Sequence, residues 1–269
     1  MQNRLFGWCA LALAAVAAFA VPAAAKSLDD IIKAGVIRVG VNPNFPPNSS
    51  YGDNNQLEGF DVDIGNKIAA SLKVKAEFVP TETPQRVPFL VSDKIDISLG
   101  ALTRTAERAV LIDYTVPLHT EAMAVLTTDK VDIKSWHDLN DGKYTLADMR
   151  GNWTVDWLKQ NIPQAKLALV DTIADTVRQV AQGRADAIVE NIDFFMKHTK
   201  NFPEVKWRVV PETINVSYDA IGVAKGNDSL RRELNIVLFD MHSSNFVNDT
   251  WQKWYGAPML VKIVPDPYF

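Results

Sequence analysis

Two α/β lobes built on one plan are what this sequence predicts, and two internal echoes carry the expectation. Lys94-Ile95-Asp96-Ile97 follows one amphipathic stretch, and Arg184-Ala185-Asp186-Ala187-Ile188-Val189 follows another, Arg184 standing 90 residues after Lys94. The order strand, glycine-bearing loop, helix also occurs twice, through residues 96–108 and again from residue 143 past Gly151. A chain of 269 residues, 47% hydrophobic and 22% charged, is long enough for one large domain or for two small lobes. In such sheets ligand groups gather at strand ends, where a crevice is left open.

Residues 1–25 stand apart from that plan. Arg4 supplies a positive start, residues 5–21 form a short apolar run rich in alanine, and Ala23-Ala24-Ala25 precedes Lys26 as a small-residue cleavage site. An export signal is expected rather than a membrane anchor, because the run is short and is followed by Pro22. The single cysteine, Cys9, lies inside it. The mature chain therefore offers no disulfide, thiol nucleophile or cysteine metal site. Its 28 basic and 32 acidic residues give a net charge of −4, about −5 once Arg4 is removed. Such a charge speaks against nucleic acid or an acidic membrane surface as partner, so any anion site has to be local.

Residues 28–33 form a short helix closed by Gly35, and Val36–Val41 alternates as a strand. Asn42-Pro43-Asn44-Phe45-Pro46-Pro47 then breaks regular structure and presents Phe45 from a rigid loop, or wedges it in the core. Phe60, Ile64, Ile68 and Leu72 recur every four residues, with Asp61 and Asp63 in the first turn, where exposed amides favour carboxylates. Those two acids have a structural explanation and receive no ligand contact. Residues 74–79 alternate as a strand, and Thr83 to Leu90 is a short helix that sets Thr83 and Arg86 one turn apart.

Residues 96–108 read Asp-Ile-Ser-Leu-Gly-Ala-Leu-Thr-Arg-Thr-Ala-Glu-Arg. An apolar strand opens into small and hydroxyl residues at Gly100, Ala101 and Thr103, then starts a helix at Thr105 with Arg108 in its first turn. Small residues let a ligand approach the backbone, free amides at a helix start attract anions, and a guanidinium fork matches a carboxylate. The rival is an ordinary corner whose Arg108 pairs with Glu107 or Asp113.

Further on, residues 123–127 form a strand, Trp136-His137-Asp138-Leu139 a helical turn, and residues 143–147 a strand leading to the loop Asp148-Met149-Arg150-Gly151-Asn152-Trp153-Thr154. Thr172 caps a helix with Asp175 three residues on, Ile173, Val177, Val180 and Ala181 share one face, and Gly183 closes it. Tyr218 to Ala224 is a returning strand. Ser229 caps a helix bearing Leu230, Leu234, Val237, Leu238 and Met241, and a last helix holds Trp251, Trp254 and Tyr255.

The 96–108 stretch, continued by Ile112-Asp113-Tyr114-Thr115-Val116-Pro117, resembles the signature of the bacterial extracellular solute-binding proteins of the polar amino-acid family. Gly59-Phe60-Asp61-Val62-Asp63 and the closing Lys253-Trp254-Tyr255-Gly256 are similar to the same family. The likeness covers essentially the whole mature chain. It implies a two-lobe periplasmic-binding-protein fold of type II with the ligand in the interlobe cleft. Lobe 1 would comprise 26–124 and 220–269, lobe 2 would comprise 125–219, and the hinge would lie near 123–127 and 218–223. It implies a monomer in the periplasm that delivers a small carboxylate-bearing solute, a polar amino acid first, to a membrane ABC permease, with no cofactor. In that family the residue at Arg108 binds the ligand's carboxylate, helped by the hydroxyl at Thr103 and backbone at Gly100 and Ala101. An aromatic covers the ligand at Phe45, and a polar contact is usual at Asn42. Arg86, with Thr83, stands where the acidic amino-acid branch meets a side-chain carboxylate.

Two departures mark the second lobe. The aspartate that usually pairs with the ligand's α-ammonium, five residues after Asp186, is here Asn191, which accepts a hydrogen bond but carries no charge. An uncompensated buried ammonium would cost several kcal/mol, so a neighbouring acid compensates or the ligand is a non-amino organic acid. Asp193 shares a face with Asn191 if the strand continues, and Glu190 gains if the chain turns there. After Gly151 the family commonly has small hydroxyl residues, where this chain has Asn152, Trp153 and Thr154. Trp153 would stack on the ligand or seal the cleft.

Dinucleotide fingerprints, phosphate loops and nucleophile elbows are missing from the sequence. His119, His137, His198 and His242 have no spacing that sets two on one helical turn, so no metal site is expected. A binding protein, not an enzyme, is the expectation. The enzymatic alternative is a dehydratase of prephenate-like acids, which shares this fold and holds an acid in the cleft, here Glu190 or Asp193.

Overall fold

The computed structural model describes residues 26–265. The export-signal expectation for 1–25 lies outside them, and no described helix is long and apolar enough to cross a membrane.

The first part of the chain runs α1 (Leu28–Ala34), β1 (Val36–Val41), a small sheet of β2 (Asn44–Phe45), β3 (Ser49–Tyr51) and β4 (Leu57–Glu58), then α2 (Phe60–Ser71) and β5 (Lys75–Pro80). A 3₁₀ turn, Thr83–Gln85, leads to α3 (Arg86–Val91), β6 (Ile97–Ser98) and the single-turn α4 (Ala106–Ala109). The long β7 (Ile112–Thr128) follows, then β8 (Thr145–Met149), α5 (Thr154–Asn161), β9 (Lys166–Val170), α6 (Ile173–Ala181), β10 (Ala187–Asn191), α7 (Ile192–His198) and β11 (Trp207–Val209). β12 (Asn215–Ala224), α8 (Asp228–Ser243) and α9 (Phe246–Tyr255) complete it.

The other nine strands form one sheet, in the order β5-β1-β6-β12-β7-β10-β8-β9, with β11 also on β7. β5, β1 and β6 are mutually parallel, as are β10, β8 and β9. Parallel strands need crossovers and are covered by helices, so each set builds its own core. Ile37, Val39, Phe60, Ile64, Leu234 and Trp251 fill one; Ala147, Val177, Val180, Ile188 and Phe195 fill another, with Leu146, Leu158 and Val189 on the opposite face. The antiparallel pair β7 and β12 joins the two sets.

The echo read from the sequence has a physical content. Asp96 accepts from the Arg38 N–H at 2.7 Å while its own N–H reaches Arg38 O at 2.9 Å. Asp186 repeats this with Thr145, at 2.7 Å in both directions. In each set an aspartate at a strand entrance locks the register of the strand beside it.

Two expectations are corrected here. β7 is a strand of 17 residues, not the five at 123–127, because His119, Thr120 and Glu121 interrupt its apolar pattern and Pro117 lacks a donor. The ladder is irregular opposite that proline, shifting register at Asp219/Ala220 and Ala220/Gly222. α8 starts two residues earlier than Ser229 suggests, with Asn227 at its N-cap; the Ser229 hydroxyl instead accepts from the Leu28 N–H at 3.3 Å.

Candidate ligand cleft

The predicted anion seat is a corner of unusual backbone. Gly100 (φ 82°) and Ala101 (φ 51°) are consecutive left-handed residues, a conformation that strains the alanine. Arg86 holds it: Nη1 donates to Gly100 O at 2.5 Å and Ala101 O at 2.9 Å, and Nε to Thr83 O at 3.0 Å. Arg86 is only 3% exposed, and burial, reinforced by nearby Arg108, lowers its pKa to about 9. Its Nε and Nη1 are thus committed to the fold, and only Nη2 is left for the acidic ligand group expected of it.

Thr105 caps α4, its hydroxyl accepting from the Arg108 N–H at 3.2 Å. The Arg108 side chain is half-buried and spans the cleft, donating from Nη1 to Thr103 O (3.1 Å) and from Nη2 to Gly151 O (3.2 Å). Asp113 belongs to Lys225, at 2.9 Å, so the ordinary-corner alternative for Arg108 does not hold with that partner. The Thr103 hydroxyl is buried without a hydrogen-bond partner.

The opposing loop closes onto this corner. Gly151 has φ 76°, and a Cβ on it would lie 3.0 Å from Pro84 Cα, so only glycine allows the approach. Between the two sides lies a cavity of about 250 Å³ lined by Thr83, Arg86, Arg108, Gly151 and Asn152 among others. Asn42 donates to the Thr83 hydroxyl at 3.0 Å, which lies 3.8 Å from Met149 Sδ across the cleft. Phe45 is buried in the second lobe's apolar cluster, 6.4 Å from Phe194 between ring centroids. Trp153 is half-buried and borders a wider cavity of about 710 Å³ with Thr103, Tyr114 and Tyr218. Thr154 is fully buried and faces the carboxyl of Asp148, which burial pushes up to about 7.

At Asn191, the first of the two departures, the strand stops. β10 ends at Asn191, which caps α7 by accepting from the Asp193 N–H at 3.1 Å. The parity that favoured Asp193 therefore does not apply. Asp193 is pushed up to about 6 by burial, opposed by the Leu260 amide, and so sits against the C-terminal segment. Glu190 instead faces the Gly151 loop: Oε2 accepts from Asn152 Nδ2 at 3.1 Å and Oε1 from the Asn191 N–H at 2.9 Å. Burial drives its pKa to about 8, against those two bonds. Asn191 Nδ2 is buried and unpartnered.

Several buried ionisable groups around the cleft were not singled out in the sequence. Asp61 is 0% exposed and pushed up to about 8 by burial, with the Gly100 amide and Arg86 opposing. The helix-start explanation suits only Asp63, which accepts from Lys253 Nζ (2.6 Å) and Trp254 Nε1 (2.7 Å). Glu121 is raised well above the carboxylate range by burial and by the neighbouring Asp219 and Glu190. His119, lowered by burial, lies beside Asp219. A sign was available: charged residues inside strand runs such as Leu118-His119-Thr120-Glu121-Ala122 are buried with a purpose or a partner.

The profile of the bacterial extracellular solute-binding proteins, family 3, matches residues 37–257. The chain belongs to this family. Among its relatives, the L-cystine-binding protein TcyJ of Escherichia coli (strain K12) is 26% identical over 264 residues, covering 95% of this chain and 96% of that protein. The L-arginine-binding protein of Pseudomonas aeruginosa is 26% identical over 237 residues, 82% and 88% of the two chains. Of solved structures, the ancestral amino acid-binding protein AncCDT-1, a precursor of cyclohexadienyl dehydratase, is 30% identical with a TM-score of 0.78, over 85% of this chain and 99% of that one. The two-lobe α/β fold is thereby shown. As a family 3 solute-binding protein it is a substrate-binding protein of the amino-acid ABC transporter type. Its placement in the acidic branch finds no support in these relatives, whose named ligands are cystine and arginine.

Proposed function

We propose that this family 3 protein captures an amino acid with at least one unbalanced cationic group and presents it, by lobe closure, to an ABC permease. The observation that carries this is the charge around the cleft: Asp61, Glu121, Glu190 and Asp219 are each at most 4% exposed, and two guanidiniums, Arg86 and Arg108, stand among them. A second ligand carboxylate would compete with these acids for the two guanidiniums, whereas an ammonium or guanidinium supplies the counter-charge that lets them ionise. Arg108 and the free Thr103 hydroxyl take the carboxylate, and Glu190, one residue before the missing aspartate, takes the amine. Phe45, Asn42, Thr83, Gly100, Ala101, Trp153 and Thr154 shape the walls. Closure turns lobe 125–219 on lobe 26–124 with 220–269 about β7 and β12, as a monomer in the periplasm.

The test is thermal melting of ligand-stripped protein against arginine, lysine, cystine, glutamine and glutamate, each beside its skeleton lacking the α-amine. A ligand at 1,000 times its dissociation constant adds roughly 4 kcal/mol, a shift on the order of 10 °C. A glutamate shift exceeding those of the cationic ligands overturns the charge assignment. Equal shifts from amine-free acids overturn the role of Glu190 and favour an organic acid.

A second reading rests on Glu190 being protonated near neutral pH and oriented by Asn152. Such a group can hand its proton to a departing hydroxyl, which leaves as water. Consumption of a cyclohexadienyl hydroxy-acid by purified protein, lost in Glu190→Gln, would move the chain from binder to dehydratase.

A further inference from the structure

His119, Glu121 and Asp219 form a group to which no ligand contact is assigned above, although Glu121 and Asp219 contribute to the buried acid on which the proposed function rests. His119 and Glu121 are two apart on β7 and so share a face, and Asp219 on β12 pairs directly with His119. All three are at least 96% buried, at 1%, 4% and 1% exposure. One ligand atom from each lies within 4.8 Å of the others. The imidazole is fixed by an edge contact to Phe60 (5.5 Å) and by Trp251 (5.1 Å). Its Nδ1 has no hydrogen-bond partner, and among the described residues Asp219 finds only the carboxyl of Glu121 to share a proton with. Nδ1 points at Asp219 Oδ2 from 3.6 Å, too far for a hydrogen bond.

We propose that His119, Glu121 and Asp219 bind a first-row divalent cation between the two strands that join the lobes. The spacing discriminates between cations. Donors about 2.1 Å from a tetrahedral metal lie roughly 3.4 Å apart, whereas donors about 2.9 Å from an ammonium nitrogen lie roughly 4.7 Å apart. The 3.6 Å separation of His119 and Asp219 fits the metal, and the Glu121 oxygen, within 4.8 Å of both, closes in by a side-chain rotation to complete the shell. One imidazole and two carboxylates suit Zn²⁺, Co²⁺ or Mn²⁺ better than a soft ion, and three protein ligands leave positions for water or for a group of the captured solute. The neighbouring Arg86 opposes the charge of Glu121 and Asp219 at a distance, while its Nε and Nη1 hold backbone carbonyls.

The experiment uses chelator-stripped protein without amino acid, titrated with Zn²⁺ by calorimetry and with Co²⁺ by visible absorption. One equivalent should bind, with the d–d bands of a low-coordinate Co²⁺ site. Asp219→Asn and Glu121→Gln should each weaken uptake by at least about tenfold. Glu121→Gln keeps size and shape, and decides the matter if Asp219→Asn fails to fold. Absence of stoichiometric uptake, or uptake unchanged in these variants, overturns the site. Amino-acid binding is measured on the same samples: if it persists without metal uptake, the metal site falls and the transport reading stands.

Discussion

The two strand-end corners that face each other across the cleft share their scaffolding and differ in charge. In the first lobe Asp96 locks β6 to Arg38 on β1, and the chain then turns through Gly100 and Ala101 to put Arg108 at the cleft. In the second lobe Asp186 locks β10's approach to Thr145 on β8, and the chain turns at Asn191 to leave Glu190 at the cleft. One corner presents donors and the other acceptors. A repeated fold unit can therefore grip opposite ends of a zwitterion, because the register lock is local while the charge at the turn is free to vary.

Changes at five positions would break or sharpen that comparison, the strongest first. Arg108→Ala removes the donor fork, its bond to Thr103 O and its one bond across the cleft, to Gly151 O; affinity should fall by about 100-fold or more, roughly 3 kcal/mol, measured by calorimetry. Arg108→Lys should recover only part, since an ammonium lacks the fork. Removing the lock itself should separate the lobes in stability. Asp96→Ala also strips the half-buried Arg38 of a partner 2.5 Å away and should cost about 3 kcal/mol. Asp186→Ala, which loses a single backbone bond, should cost about 1.5 kcal/mol; equal losses in urea melts would show the two locks are not graded by charge.

Glu190→Gln should weaken binding of amino acids by about tenfold to a hundredfold while leaving their amine-free analogues unchanged. Gly151→Ala should cost about 1–2 kcal/mol of closure, visible as a more open ligand-bound form in small-angle scattering.

The acid corner also sets a pH dependence. Burial places Glu190 near 8 and Asp148 near 7, above their ordinary values. Between the ordinary and the folded values the native chain holds protons that the unfolded chain has released. Stability of the ligand-free protein is then greatest at low pH within this range and falls as pH rises toward 8, by roughly 1.4 kcal/mol per unit for each proton. A melt series from pH 5.5 to about 8.5 should drop by about 3–5 °C per unit for each proton still bound, steepest below pH 7, where both groups contribute. Binding of an amine should strengthen over the same interval, because Glu190 must ionise to meet it.

Local chemistry determined much of this from sequence alone. The Thr105 cap, the Ile173, Val177 and Val180 helix face, the aspartate echo and the family signature all act within a few residues. They need no knowledge of what lies opposite. The turn at Asn191 was left between two outcomes because strand ends depend on the neighbouring ladder, and β10 pairs with β7 only as far as Asn191. Arg86 was read as facing the ligand because its helical position fits, yet which carbonyls it meets depends on the left-handed Gly100–Ala101 turn. Asp61, His119, Glu121 and Asp219 come from α2, β7 and β12, separated by up to 158 positions. Only the packing of β7 against β12 beneath α2 brings them together and removes the water between them. Sequence thus determined the fold and the corner that carries Arg108, whereas only tertiary structure set buried Glu190 opposite that corner.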